Sequence, residues 1–129
     1  MTLSEFYQKC VLPLMAEKAS AAAAYAEQYV GVINAVLCEI FALNNELRMA
    51  RGREEIPEFR MLAASDELEY ETDLLISCAA YGCAARLYVD EAGDEANMVG
   101  FLESNYEAGK ARLQAARWVD TVSPFGASI

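Results

Sequence analysis

The chain has 129 residues, enough for one buried core and too few for two ordinary domains. Its hydrophobic fraction of 55% excludes general disorder. Twenty acidic residues against ten basic ones give a formal net charge of −10, which opposes binding to a phosphate backbone. This composition disfavours a direct reader of DNA. A protein that lets DNA pass without binding it, or one that imitates DNA, would tolerate this charge.

Neither a membrane span nor a secretion signal is indicated by the sequence. Polar residues such as Glu27, Asn34 and Glu39 interrupt the longest apolar run. The amino-terminal stretch MTLSEFYQKC lacks the charged and then apolar layout of a secretion signal. We therefore expect an intracellular protein with no membrane partner.

The first predicted helix is short and begins near Thr2 or Ser4, either of which can cap it. Glu5 stands in its first turn, and apolar residues recur at helical spacing from Phe6 onward. Pro13 interrupts the pattern, so we expect the helix to kink or end there.

The strongest helical pattern runs from about Ser20 to Gly52, which is the expected C-terminal stop. Its apolar residues alternate spacings of four and three: Tyr29, Ile33, Val36, Ile40, Leu43 and Leu47. A helix of about thirty residues would be roughly 45 Å long at 1.5 Å per residue. That length exceeds the diameter of so small a domain, so we expect part of it to project or to pack against another chain.

Residues 52–70 contain Pro57 and show no sustained helical period. Residues 58–62 alternate briefly and are compatible with a short strand, but an ordered connection that crosses the bundle is the favoured interpretation. An acidic run overlaps its end and precedes the next helix: Asp66, Glu67, Glu69, Glu71 and Asp73. Carboxylates suit the positive end of that helix, with Thr72 or Ser65 as its cap, and they also suit a basic partner.

Two further helices are predicted, from about Leu74 to Val89 and from about Glu95 to Trp118. Gly82 lies in the middle of the first, where close approach of a neighbouring helix would compensate for its low helix propensity. Gly93 and Asp94 between them predict a tight corner, with Gly93 ending one helix and Asp94 capping the next.

The chain closes with a segment that contains Pro124 and Gly126, which oppose helix. Its apolar residues predict that it folds back on the bundle or docks on another subunit; they are Trp118, Val119, Val122, Phe125 and Ile129. We therefore divide the chain into a helical bundle domain, 1–117, and a C-terminal arm, 118–129. The predicted fold is all-α: a small helical bundle with one long helix, an ordered long connection, an αα-hairpin and an extended C-terminal arm.

Enzymatic chemistry is disfavoured throughout. The chain has no histidine, which excludes Ser/His/Asp and Cys/His nucleophilic catalysis. Glycine-rich phosphate loops are absent as well. The four cysteines lack the spacing of a disulfide scaffold or a zinc site, so we expect reduced, buried thiols: Cys10, Cys38, Cys78 and Cys83. No enzyme activity and no cofactor are expected.

The acidic stretch LYVDEAGDEANMVGF raises the question of a calcium loop. A loop that starts at Asp90 would need glycine where Glu95 stands and a bidentate glutamate where Phe101 stands. A start at Asp94 places Val99 and Asn105 at those two positions. The register therefore favours a helical corner, and no metal site is predicted.

Basic residues concentrate at the end of the long helix, at Arg48, Arg51, Arg53 and Arg60. They suit the negative pole of that helix. The alternative is an electrostatic contact between subunits, in which Arg48, Arg51 and Arg53 meet the acidic run of an identical neighbour at Asp66, Glu67 and Glu69. Head-to-tail contacts of this kind favour a ring.

Residues 25–113 resemble the head-tail connector or adaptor proteins, also called head completion proteins, of tailed bacteriophages. The resemblance lies in the order of three stretches: YVGVINAVLCEIFALNNEL, IPEFRMLAASDELEYETDLL and AAYGCAARLYVDEAGDEANMVGFLESNYEAGKARL. It implies a helical virion protein of the neck region, assembled in the host cytoplasm as a ring, commonly of twelve subunits. Such a ring lies beneath the portal protein, contacts tail or head-completion proteins, and extends a channel through which DNA passes without specific binding. In this family the C-terminal segment often reaches the portal.

A hypothesis of another class fits the same composition: an acidic regulatory protein, such as a DNA mimic, that binds a basic protein partner.

Overall fold

The computed structural model describes residues 1–15, 28–89 and 96–128, and it describes side chains up to Ala115 except those of Val89 and Ala96. Within these ranges the fold is all-α and contains four helices and no β-strand. The helices are α1 (Leu3–Phe6 and the π-helical turn Tyr7–Val11), α2 (Tyr29–Ala50), α3 (Thr72–Leu74, the π-helical turn Leu75–Ala79 and Ala80–Val89) and α4 (Ala96–Ser128).

Helix α1 begins with a reciprocal capping box, so Thr2 rather than Ser4 is its cap. The Glu5 backbone N–H donates to Thr2 Oγ1 at 3.1 Å, and the Thr2 N–H donates to Glu5 Oε1 at 2.9 Å. Residues 12–15 form a 3₁₀ turn that contains Pro13, which confirms the predicted end of the helix. Leu3 and Phe6 are completely buried.

Helix α2 is the centre of the core. Five of the six residues of its predicted apolar pattern are buried, from Ile33 to Leu47, and Tyr29 is half-buried. The helix ends at Ala50, and Gly52 takes a left-handed φ of +78°, the conformation that stops a helix. The predicted beginning of this helix, 20–27, lies outside the described residues.

Length and composition alone would allow α2 to cross a membrane. The core helix of a soluble protein passes the same test, and packing in the fold accounts for its apolar face. Its buried residues also include Asn34 and Asn44, both with defined hydrogen-bond partners in the chain.

Helices α3 and α4 pack closely, as the prediction for Gly82 required. A Cβ atom on Gly82 would lie 2.8 Å from Cδ1 of Tyr106, so the aromatic ring occupies the space beside the glycine. Gly109 provides a second close approach, because a Cβ atom there would lie 2.7 Å from the backbone oxygen of Ser77. The predicted corner at Gly93 and Asp94 lies outside the described residues.

The backbone of 118–128 continues α4, which corrects the expectation of an extended arm in this part of the chain. Pro124 removes one backbone donor, and a helix that is already formed adds one hydrogen bond for each further residue. The side chains of Trp118, Val119, Val122 and Phe125, and the whole of Ile129, are not among the described parts. Their proposed contact with the portal or a neighbour stays a prediction.

The thiols are only partly as expected. All four cysteines are free of disulfides. Cys78 and Cys83 are buried between the helices, whereas Cys38 is exposed, which corrects the expectation of four buried thiols. Cys38 occupies the side of α2 that faces away from the core, next in sequence to buried Leu37.

Candidate functional site

The connection between α2 and α3 is an ordered strap, which we define as residues 53–70. It leaves α2 at Gly52, runs back along that helix and returns to its C-terminal end at Glu71. Two asparagine side chains on α2 bind its backbone. Asn45 Nδ2 donates to the Ile56 carbonyl at 3.0 Å and its Oδ1 accepts from the Ile56 N–H at 2.7 Å. Asn34 binds the Leu62 carbonyl and N–H in the same way, at 2.9 and 2.8 Å.

The spacing of these two contacts shows that the strap is nearly extended. Asn34 and Asn45 are 11 residues apart on α2, which is roughly 16 Å along the axis. Six residues of extended chain, from Ile56 to Leu62, span about 20 Å. From Met61 to Glu69 exposed and half-buried residues alternate, and a turn at Ala64–Ser65, in which the Asp66 N–H donates to the Ala63 carbonyl at 3.0 Å, interrupts the extended chain.

The far end of the strap covers the beginning of α1. The Leu3 and Ser4 N–H groups, which lack partners inside the helix, donate to the carbonyls of Asp66 and Ala64 at 3.0 and 2.9 Å. In return, the Leu68 N–H donates to the Met1 carbonyl at 2.9 Å. The strap therefore joins the N-terminal end of α1 to α2.

The two ends of the strap meet in an ion cluster that we call the neck cluster: Arg48, Arg51, Arg53, Glu71 and Asp73. Arg53 Nη1 lies 2.6 Å from Glu71 Oε2, and Arg51 Nη1 lies 3.1 Å from Glu71 Oε1. Arg48 Nη1 is 3.7 Å from Glu71 Oε2. Arg51 also binds Asp73 with two nitrogens, at 3.0 and 2.8 Å, in the bidentate geometry that favours arginine over lysine.

Glu71 is the centre of this cluster. Only 3% of its surface is exposed, and a buried carboxylate needs cationic partners to offset the loss of water. Its backbone N–H donates to Asn44 Oδ1 at 2.8 Å, so a third asparagine of α2 fixes its position. The Arg51 guanidinium, by its hydrogen bonds, holds the pKa of Asp73 below its usual value.

The arginines predicted to contact a neighbouring subunit are thus engaged within their own chain. Their carboxylate partners are Glu71 and Asp73. The other three residues of the predicted subunit contact lie along the strap, where Asp66 accepts from the Ala63 N–H, Glu67 binds the Met1 amino group, and the Glu69 carbonyl accepts from Arg48. A contact between subunits through these residues stays a prediction.

Sequence reasoning placed Glu71 in an acidic run and missed its burial. It also assigned the N-cap of α3 to Thr72 or Ser65, whereas Glu71 occupies that position and makes no side-chain capping bond. The available signal was three arginines within the six residues 48–53 at a helix end, followed by Glu54 and Glu55. Which carboxylate they meet depends on the path of the strap, and local spacing does not determine that path.

A second polar cluster joins α2, α3 and α4. The Tyr106 hydroxyl donates to Glu39 Oε1 at 2.8 Å, and Arg86 forms an ion pair with the same carboxylate. Lys110 Nζ lies 4.4 Å from the centre of the Tyr106 ring, a cation–π contact. Burial opposes ionisation of Glu39, but hydrogen bonds from Arg86 and Tyr106 outweigh it and lower the pKa. Burial and the Glu39 contact raise the pKa of Tyr106.

In the parts of the chain that the structure describes, no group of three or more acidic or thiol side chains is positioned to hold a metal ion. Asp90 and Glu95 lie outside those parts, so only the spacing of residues in the sequence argues against a calcium loop there. Burial raises the pKa of Cys78 to about 11, which keeps its thiol protonated near neutral pH.

Several large apolar side chains remain on the surface. Met61, Phe101, Met49 and Ile76 are exposed over 67, 58, 52 and 51% of their areas. Met61 projects from the strap, and Ile76 lines an open cleft beside the neck cluster. No protein-family model matches the chain, and no curated protein or solved structure is significantly similar to it.

Proposed function

We propose that the protein is a structural, non-enzymatic component of a tailed-bacteriophage virion. It acts as a head-tail connector that forms a ring beneath the portal, in the neck of the particle. The resemblance of residues 25–113 to such proteins supports this assignment, together with the acidic all-α fold. The ring extends the DNA channel and joins the head to tail or head-completion proteins.

The distribution of charge is the observation that carries this proposal. Six of the ten basic residues pair with carboxylates of their own chain: Lys9, Arg48, Arg51, Arg53, Arg86 and Lys110. Tight binding to DNA needs cations that can replace the counterions of phosphate groups. A chain of net charge −10, in which six of the ten cations pair with carboxylates of the same chain, suits a channel wall that does not retain DNA.

The exposed apolar side chains support contact with other subunits. Phe101 on α4 and Met61 on the strap are separate from the buried core, so they can be covered without disturbing it. Under this proposal Trp118, Val119, Val122, Phe125 and Ile129 supply the contact with the portal or a neighbour.

The mass of the purified protein, alone and with portal protein, tests the assignment. Native mass spectrometry and light scattering should show a closed ring, or a monomer that forms a ring on the portal. Phe101→Ser should reduce assembly while leaving the melting temperature nearly unchanged. A protein that stays monomeric and binds neither portal nor tail components would overturn the proposal.

The same charge distribution also favours the second candidate, a DNA mimic that binds a basic protein. Such a protein should compete with DNA for a nuclease or repressor. Competition combined with a strictly monomeric state would select this candidate, and assembly on a portal without competition would reject it.

A further inference from the structure

We infer that the strap opens as one unit while the helical bundle stays folded, and that the neck cluster controls this opening. The inference concerns the fold of a single chain. It is independent of the proposed virion function and would stand if that function were wrong.

The fully buried core belongs almost wholly to the helices. Every buried apolar residue of the described core lies in the helices and the turns at their ends, except Tyr70 at the last position of the strap. Ile56, Phe59, Leu62 and Leu68 of the strap pack against this core, but each is only half-buried. A segment that buries less apolar surface than the helices has a lower free energy of local opening, so the strap can open without global unfolding.

The hydrogen bonds of the strap are made at discrete points, beside the partial packing of Phe59 against Phe41. Asn45 binds Ile56, Asn34 binds Leu62, and Leu68 donates to Met1. Between the first two contacts the strap has no neighbouring strand along its length within the described chain. Because the segment is extended and fixed at separate points, release of one point weakens the positional restraint on the next.

The neck cluster joins the two ends of the strap. Its first residue, Arg53, and the residue after its last, Glu71, are already joined by hydrogen bonds of 2.6 and 2.7 Å. An opened strap whose ends stay joined gains less chain entropy than one with free ends, so the intact neck opposes opening. Loss of the Glu71 carboxylate removes the partner that Arg48, Arg51 and Arg53 share and breaks the link from Arg53 to the end of the strap.

Opening would uncover a peptide-binding track on α2. Asn34 and Asn45 would each present one amide donor and one amide acceptor, spaced for a six-residue extended segment, with Phe41 between them. Such groups bind main chain regardless of side-chain identity. The strap is the occupant of this track in the closed protein.

Residue-resolved hydrogen exchange of the full chain tests the inference. The amide N–H groups of Ile56, Leu62 and Leu68 report on three separate points of the strap. All three should share one opening equilibrium and exchange at least tenfold faster than the Ile40 amide in the core of α2, as expected for sub-global opening. Glu71→Gln should accelerate all three by a further factor of about ten, because charged hydrogen bonds are lost. The same bonds are absent from the globally unfolded state, so Ile40 should accelerate by no more than that factor and remain the slower amide.

The matched control is Glu54→Gln, which neutralises an exposed carboxylate at the beginning of the strap and should change no rate. Arg53→Gln is the second test variant, in case Glu71→Gln fails to fold, and should act in the same direction with a smaller effect. Trypsin provides an orthogonal measurement: cleavage after exposed Arg60 should be faster in Arg53→Gln, with the two fragments remaining associated.

Two results would overturn the inference. Strap amides that exchange at the rate of Ile40 would show that the strap opens only with global unfolding. Separate responses of the three reporters, or equal effects of Glu54→Gln and the neck variants, would show independent fraying without control by the neck cluster.

Discussion

The α3–α4 hairpin and the strap are held in place by different balances of packing and polar contact. In the hairpin, Gly109 brings α4 so close to α3 that even a methyl group would meet the Ser77 carbonyl at 2.7 Å. In the strap, no side chain from 53 to 69 is fully buried, and paired amide groups and ion pairs support the partial packing of its apolar residues. Stability of the hairpin should therefore respond to added volume, and stability of the strap to lost polar groups.

Gly109→Ala should have the largest effect, a loss of about 2 kcal/mol in the free energy of unfolding. Overpacking against backbone costs up to about 3 kcal/mol, and the better helix propensity of alanine returns about 1 kcal/mol. Urea denaturation measures the difference.

Gly100→Ala is the matched control on the same helix, because no atom lies within 4 Å of the position its Cβ would take. It should stabilise the protein by up to about 1 kcal/mol. If both variants shifted stability in the same direction, the steric account of the hairpin would be wrong.

Asn34→Ala tests the polar side of the comparison and should cost about 2 kcal/mol. It removes the amide that binds both the N–H and the carbonyl of Leu62, and it leaves those groups without their partner.

The control is Asn105→Ala. The Asn105 amide donates to the carbonyl four residues before it, but the residue is not buried and binds no second segment within the described chain. The free energy of unfolding of Asn105→Ala should differ from that of the wild type by less than about 0.5 kcal/mol. Equal losses in the two variants would contradict the role assigned to the strap contact.

The sequence predicted the helices better than the strap for a physical reason. The spacing from Ile33 to Leu47 reports burial of one helix face, and that face is buried as expected. Gly52 and Gly82 also had local signatures, a helix stop and a close approach. The positions of Asn34 and Asn45 carried no such signal, because an asparagine on a helix is informative only when the extended segment that it binds is known.

The charged residues were predicted less well than the helices and better than the strap contacts. Composition identified both the arginines and the acidic run, but the burial of Glu71 follows from a connection that turns back on itself. Long-range pairing of this kind is set by tertiary contacts among residues 44, 53 and 71. Local sequence patterns therefore identified the charged residues but did not determine which arginine pairs with which carboxylate.

Tyr106→Phe sharpens the comparison, because Tyr106 contributes both volume and a hydrogen bond to the hairpin. The ring beside Gly82 is preserved and only the bond from the hydroxyl to Glu39 is lost. The expected loss is about 1 kcal/mol, half the effect of Gly109→Ala. Tyr81→Phe, on a half-buried tyrosine of α3, is the control for removal of a hydroxyl and should be close to neutral. A larger loss for Tyr106→Phe than for Gly109→Ala would make the hairpin mainly polar, like the strap.

Asp73→Asn should have the smallest effect, and its pH dependence identifies the mechanism. Hydrogen bonds from Arg51 lower the folded-state pKa of Asp73, so the ionised carboxylate stabilises the folded protein. This contribution is present above the unfolded-state pKa, about 4, and is lost as the pH falls through the folded-state value. Because 47% of the Asp73 side chain is exposed, we expect the variant to lose only about 0.5 kcal/mol in the free energy of unfolding near neutral pH.

Urea midpoints of wild type and Asp73→Asn should therefore differ at about pH 6 and converge once the pH is below the folded-state pKa of Asp73. Asparagine keeps an oxygen for the Leu74 N–H, so a difference that stayed constant across this range would assign the effect to packing instead of charge.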